Sequence, residues 1–327
     1  MNDFVGTRTV VTGGMGFIGS TLARALCDRG AEVTIIDSLI PEYGGNPFNL
    51  VGYESKMKIN VSDVRDKYSL EYLLRDADII FNLAGQTSHL DSMEQPETDL
   101  AINTSAQLSI LETTRRVNPN AKVIFTSTRQ IYGRPLFLPV DETHVIRPVD
   151  INGINKYAAE QYHMLYHSVY GLPVSVLRLT NTYGPRMRVK DARQTFLGVW
   201  LRNALVGMKI NVFGDGLQLR DFNYVDDCVE ALTLAAVKDS AIGKIYNLAG
   251  SEVISLRDLA EMLTALVPGS SYELVSFPEE RKAIDIGDYY GSSSLIENEL
   301  GLEYKTNLRS GLIESLNYFT RHLEEYL

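Results

Sequence analysis

Arg8-Thr9-Val10-Val11-Thr12-Gly13-Gly14-Met15-Gly16-Phe17-Ile18-Gly19 is the stretch that decides the fold. Residues 8–12 read as a short buried strand, and the glycines that follow turn it into a helix running through Leu26. Gly13 permits a tight turn, Gly16 lets backbone N–H groups approach a pyrophosphate, and Gly19 allows close helix packing. A second strand, 32–37, ends in Asp37. Its carboxylate is placed to accept hydrogen bonds from both hydroxyls of an adenosine ribose and repels a 2′-phosphate, which favours NAD over NADP.

Working outward, residues 41–57 carry Pro41, Gly44, Gly45, Asn46 and Pro47 and read as a long surface loop. A third strand leads to Asp63, suited to the adenine amino group, and a fourth, 77–85, ends in the small residues that a backbone needs to lie against a cofactor. A helix over 103–116, a fifth strand over 121–125, a helix over 156–170 stopped by Gly171-Leu172-Pro173, and a strand over 174–179 complete the alternation. The expected class is α/β, a doubly wound parallel sheet of the Rossmann kind whose ligands gather outside the strand C-termini. Residues 1–185 are assigned to the dinucleotide-binding domain, with sheet-completing segments near 210–250. Residues 186–327 are assigned mainly to a smaller, interleaved substrate lobe.

The 327 residues are 45% hydrophobic and 22% charged, as in an ordinary globular enzyme. The net charge of −10 and the lack of a Lys/Arg cluster argue against nucleic acid as a partner. Cys27 and Cys228 read as reduced thiols, not a disulfide framework or metal site, and no metal is expected. No basic n-region with an apolar h-region and no run of 18 apolar residues is present, so no membrane association and a cytoplasmic location are expected.

The motifs stand in family order. Residues 12–19 are followed by Asn82-Leu83-Ala84-Gly85, Ser127-Thr128 with Ile131-Tyr132-Gly133, Lys156 with Glu160-Gln161, Arg178 with Asn181, Gly184-Pro185, and 213–227. Over nearly its whole length the chain resembles the extended short-chain dehydrogenase/reductase family, specifically its NAD-dependent nucleotide-sugar epimerases and dehydratases of the UDP-glucose 4-epimerase-like kind. The resemblance implies a cofactor site built from Gly13, Gly16, Phe17, Ile18, Gly19, Asp37, Ser38, Asp63, Val64, Leu83, Ala84, Gly85 and Lys156. It places Thr87, Ser88, Thr128, Asn181, Arg220 and Arg281 at the substrate, the arginines on its diphosphate or ribose. It also implies oxidation of a sugar hydroxyl, usually at C4, by hydride transfer to NAD, and a homodimer through a bundle of the helices after Gly85 and around Lys156.

In the family the base is a tyrosine four residues before the lysine; here that position is Asn152, and an amide takes no proton at neutral pH. Three readings follow. Thr128 orients the hydroxyl while Lys156 accepts the proton directly or through a water held by Asn152. Alternatively Tyr183, Tyr132, His89 or His144 supplies the base. In the third, the chain binds NAD and a nucleotide sugar without catalysis.

Arg129-Gln130 stands where the family's 4,6-dehydratases carry an Asp-Glu pair, and neither residue can supply that acid and base. Arg129 can instead meet an anionic sugar, which keeps a uronate epimerase or decarboxylase open. The leading expectation is an epimerase acting through a transient keto-sugar at C4 of an NDP-hexose, with C2 as a variant. Residues 135–148 are expected to form a loop over the sugar pocket.

Overall fold

Strands β1 (Arg8–Thr12), β2 (Glu32–Asp37), β3 (Met57–Val61), β4 (Ile79–Asn82), β5 (Lys122–Thr128) and β6 (Val174–Leu179) are rich in Val and Ile. β4 and β6 are buried along their whole length, as strands of a sheet covered on both faces must be. The computed structural model describes residues 3–43, 45–282 and 284–327, without the side chains of Glu280 and Arg281.

With β7 (Asn181–Tyr183), β8 (Ile210–Phe213), β9 (Leu219–Tyr224) and β10 (Ile245–Leu248) following, the large sheet has the order β10-β6-β5-β4-β1-β2-β3. All its pairings are parallel. The chain winds from β1 towards β3 and then returns to place β4 on the other side of β1. That reversal opens a crevice at the strand C-termini between β1 and β4, where a doubly wound sheet binds its ligand.

Of the segment near 210–250, only β10 joins this sheet. β8 pairs with β12 (Tyr272–Val275), and β9 lies between β7 and β11 (Val253–Ser255) in a small sheet of its own. Two apolar clusters flank the large sheet, and a third, around Trp200, Phe222 and Phe319, is the core of the lobe.

The helices are α1 (Phe17–Asp28), α2 (Lys67–Leu73), α3 (His89–Glu94), α4 (Pro96–Leu100), α5 (Ala106–Val117), α6 (Ile151–Tyr170), α7 (Phe196–Leu205) and α8 (Val225–Val237), with further ones beyond. Several features differ from the sequence expectation. The loop 41–57 contains three 3-10 turns. The turn before α5, Ala101–Ser105, is π-helical, a feature that concentrates at functional sites. α6 begins at Ile151 instead of 156, because Asp150 accepts a hydrogen bond from Gly153 N at 2.7 Å and caps it. Asn152 therefore sits in the first turn of α6, one turn before Lys156. The helix ends as expected at Gly171, whose φ of 74° is left-handed.

Candidate active site

The glycine loop is as tight as its sequence requires. Gly13 has φ 69°, and its N–H donates to Ile36 O at 2.8 Å. A Cβ on Gly19 would stand 2.1 Å from Gly13 O, so no other residue fits. The α1 N-cap, Gly16, offers no side-chain acceptor, which leaves the first-turn N–H groups for an anion.

Asp37 ends β2 with its carboxylate accepting from Met15 N and Leu39 N, both at 2.9 Å. Burial raises its pKa against the pull of those N–H groups. Asp63 is gripped by Arg65, which holds its carboxyl below the ordinary range.

At the end of β4, Thr12 Oγ accepts from Leu83 N and Ala84 N, both at 3.1 Å, fixing the backbone that faces the crevice. A Cβ on Gly85 would come within 2.8 Å of Lys156 Nζ. Every residue predicted at the cofactor lines one continuous cleft, from Gly13 through Asp37, Ser38, Asp63 and Val64 to Gly85 and Lys156.

Thr128 and Asn152 line the same cleft. Lys156 is buried, with Nζ 3.4 Å from Thr126 O and 5.3 Å from the centre of the Phe125 ring. Burial pushes its ammonium down to about 8, against the opposing attraction of Asp99.

Asn152 is part of a buried network. Its Nδ2 donates to Gln86 O at 2.9 Å and to Asp99 Oδ2 at 3.0 Å. Asn103 and Asn155 donate to the same carboxylate at 3.0 and 2.8 Å. Three amides thus satisfy one buried acid, and the Asn152 nitrogen is committed to protein acceptors.

At the substrate end, Thr87 and Asn181 line the cleft, and Asn181 Nδ2 donates to Asp221 O at 3.0 Å. Ser88 does not line it; its Oγ caps α3 by accepting from Asp91 N at 3.1 Å. Arg220, on β9, lies outside the cleft lining and is tied to Leu219 O and Gly287 O at 2.8 and 2.5 Å. The side chain of Arg281 lies outside the described residues.

Of the four side chains considered as replacement bases, three are held elsewhere. Tyr132 OH bridges Arg178 and Asn247, and burial raises its pKa to about 12. Tyr183 OH donates to Leu308 O at 3.2 Å. His144 accepts from Leu136 N through Nε2 at 2.9 Å. His89 alone of the four lines the cleft, with Nδ1 3.0 Å from the fully buried Asp150 Oδ2.

Sequence reading missed Asp99, Asn103, Asn155, Gln86 and Asp150. A signal existed for Asp150, which stands three residues before Gly153 as a helix cap does, and for Asp99 and Asn103, one helical turn apart.

A protein-family model described as the NAD dependent epimerase/dehydratase family matches residues 9–249. The chain belongs to that family. Among its relatives, UDP-glucuronic acid decarboxylase 1 of Danio rerio is 32% identical over 97% of this chain and 73% of its own. The UDP-glucose 4-epimerase of Thermotoga maritima, solved with UDP-glucose, shares 28% identity over 97% of this chain and all of its own, with a TM-score of 0.87. The UDP-glucuronic acid 4-epimerase of Bacillus cereus, solved with UDP-glucuronic acid and NAD, shares 26% identity over 96% and 99% of the two chains, with a TM-score of 0.85.

NAD is the cofactor of this epimerase/dehydratase, and the glycine cradle that a Cβ would fill fits a dinucleotide. Bound NAD supplies a hydride acceptor that can return the hydride in the same cycle.

Proposed function

We propose that the chain is an NAD-dependent epimerase of nucleotide sugars, acting through a transient keto-sugar at C4 of an NDP-hexose. The observation that carries this reading is Lys156. Its ammonium is buried at the β4–β5 edge of the cleft, beside Gly85 and in the same lining as Thr128, with burial holding its pKa near 8. A lysine in that state is neutral in an appreciable minority of molecules near physiological pH, and the neutral amine takes a proton from a sugar hydroxyl as the hydride departs. In this reading Gly13, Gly16 and Gly19 hold the pyrophosphate, Asp37 the adenosine ribose and Thr128 the reacting hydroxyl. The family resemblance assigns Asn181, Arg220 and Arg281 to the sugar nucleotide.

Asn152 serves the site indirectly. It anchors the Asp99 carboxylate, whose charge opposes complete loss of the lysine's proton.

A second reading of the proton acceptor has its own observation: the His89 imidazole, oriented by Asp150, lines the same cleft. A uronate epimerase or decarboxylase is the second reading of the reaction, and Arg129 in the cleft lining favours it.

A homodimer through α6 belongs to the proposal. Ile154, Leu165 and Val169 are about half exposed and share one helical face, which a second copy would cover. A cytoplasmic location accompanies it; among the described residues no helix is long and apolar enough to cross a membrane.

The test is a panel of UDP-, GDP-, CDP- and dTDP-sugars followed for product and for isotope exchange at the reacting carbon. Interconversion of one of them supports the reading. No product and no exchange across the panel, with nucleotide sugar bound, would assign the chain a non-catalytic binding role.

A further inference from the structure

We propose that Arg129 recognises a negative charge carried by the sugar itself, so that the substrate is a nucleoside diphosphate hexuronate and not a neutral hexose. The inference rests on the nucleotide-sugar reading above and, within it, takes the uronate of the second reading over the neutral hexose.

Arg129 follows Thr128 at the end of β5 and lines the cleft with Thr128, Lys156 and Asn181. Its Nη2 donates to Asn181 Oδ1 at 3.2 Å, and the guanidinium lies 4.9 Å from the centre of the Tyr289 ring. Nη1 is shut off from solvent and has no hydrogen-bond partner. Among the described residues Arg129 forms no ion pair. Desolvation lowers its pKa despite the more distant Asp221, Asp150 and Asp285.

The contrast is with the buried Arg178, which Glu160 neutralises through bonds of 3.0 and 2.6 Å. Arg129 has no such carboxylate within ion-pair distance among the described residues.

The neighbouring charges deepen the imbalance. Arg220 is close enough for the charge of Arg129 to reinforce the effect of burial in bringing its pKa down to about 10, and its own nearest acid, Asp285, stands at 4.0 Å. Asp221, the acid nearest in effect to Arg129, forms no ion pair with either arginine: its Oδ2 accepts from Gly250 N and Gly291 N at 3.2 Å and its Oδ1 has no hydrogen-bond partner.

A buried cation, Arg220, and a partly buried one, Arg129, with too little negative charge call for an anionic ligand, since an uncompensated desolvated charge is unfavourable. They stand in different places. Arg220 belongs to the lobe strand β9, where the sequence resemblance puts the diphosphate. Arg129 adjoins Thr128 at the reacting end. A ligand whose sugar carries an anionic group a short way from its diphosphate matches that layout, and a guanidinium fork fits a carboxylate through two parallel hydrogen bonds.

The experiment measures affinity by calorimetry on the NAD-loaded protein. UDP, dTDP, GDP and CDP are titrated first; the tightest defines the nucleotide, whose hexose and hexuronate derivatives are then compared on wild type, Arg129→Met and Arg129→Lys. The hexuronate is expected to bind wild type at least about tenfold tighter than the hexose, a difference abolished in Arg129→Met and partly kept in Arg129→Lys. Affinity for the bare nucleoside diphosphate stays within about twofold, which also shows that the variants are folded. Equal affinity for hexose and hexuronate in wild type overturns the proposal while leaving the nucleotide-sugar reading intact. So does an Arg129→Met variant that loses the bare nucleotide as much as the hexuronate, because Arg129 then serves the diphosphate. Failure of every nucleotide to bind overturns the nucleotide-sugar reading together with this one.

Discussion

His89 Nδ1 stands 3.0 Å from Asp150 Oδ2, joining a half-exposed imidazole in the cleft to a fully buried carboxylate at the head of α6. Burial works to raise the Asp150 carboxyl, but His89, Gly153 N and Gln130 together outweigh it and hold the pKa below its ordinary value. Gln130 Nε2 and Gly153 N complete the acid's partners at 2.8 and 2.7 Å. The ring is thus oriented from behind. With Lys156 as proton acceptor, His89→Gln is expected to lower kcat by about tenfold and to leave NAD affinity unchanged by calorimetry. A loss of about a thousandfold or more would transfer the acceptor role from Lys156 to His89.

Replacing Lys156 by Met is expected to abolish turnover, and full activity in that variant would remove the lysine from the mechanism. In wild type, kcat is expected to rise as pH increases through about 8, because the neutral amine is the reactive form. The stability effect has the opposite sign from that of a paired lysine. A lysine whose folded-state pKa lies near 8, below its ordinary 10.5, binds fewer protons folded than unfolded within that window. Stability of the NAD-free protein therefore rises with pH between those values. At pH 7, Lys156→Met is expected to stabilise it by about 1–3 kcal/mol, read by denaturant unfolding.

Asn152→Tyr restores the residue usual at this place, yet it removes an amide donor from Asp99 and from Gln86 O. A phenol next to the Asp99 carboxylate is a weaker acid, so it does not become a ready base. The variant is expected to lose about 1–3 kcal/mol of stability and to turn over no faster than wild type. A gain in kcat of about tenfold or more would show that the network is dispensable and that the site still accommodates the tyrosine mechanism.

The exposed stripe of Ile154, Leu165 and Val169 sets a test of assembly. Leu165→Glu combined with Val169→Glu is expected to turn a dimer into a monomer in sedimentation velocity, since a charge in a covered apolar face is strongly disfavoured. An unchanged sedimentation coefficient would place the interface on another face.

The dinucleotide half was legible because its requirements are local. Gly13 needs a positive φ, Gly19 must lie against Gly13 O, and Asp37 must follow directly from β2; backbone sterics enforce each within a few residues. Strand alternation likewise announced the parallel sheet. The start of α6 was misplaced by five residues, because the reading began the helix at the lysine and passed over the cap at Asp150. The lobe strands were harder still: β8 finds its partner in β12 and not in the large sheet, a pairing that no short-range pattern encodes.

By itself, the sequence determined the family, the cofactor and the edge of the sheet on which the chemistry gathers, since these follow from glycine spacing and the order of strands and helices. Only the tertiary structure decided what the unusual letters face. Asn152 reaches an acid 53 residues away, His89 meets Asp150 across two helices, and Arg129 lies among β7, β9 and Tyr289 without a carboxylate of its own. The reason is physical: a side chain's proton affinity and its need for a partner depend on desolvation and on charges brought close by folding, and these are properties of the packed site.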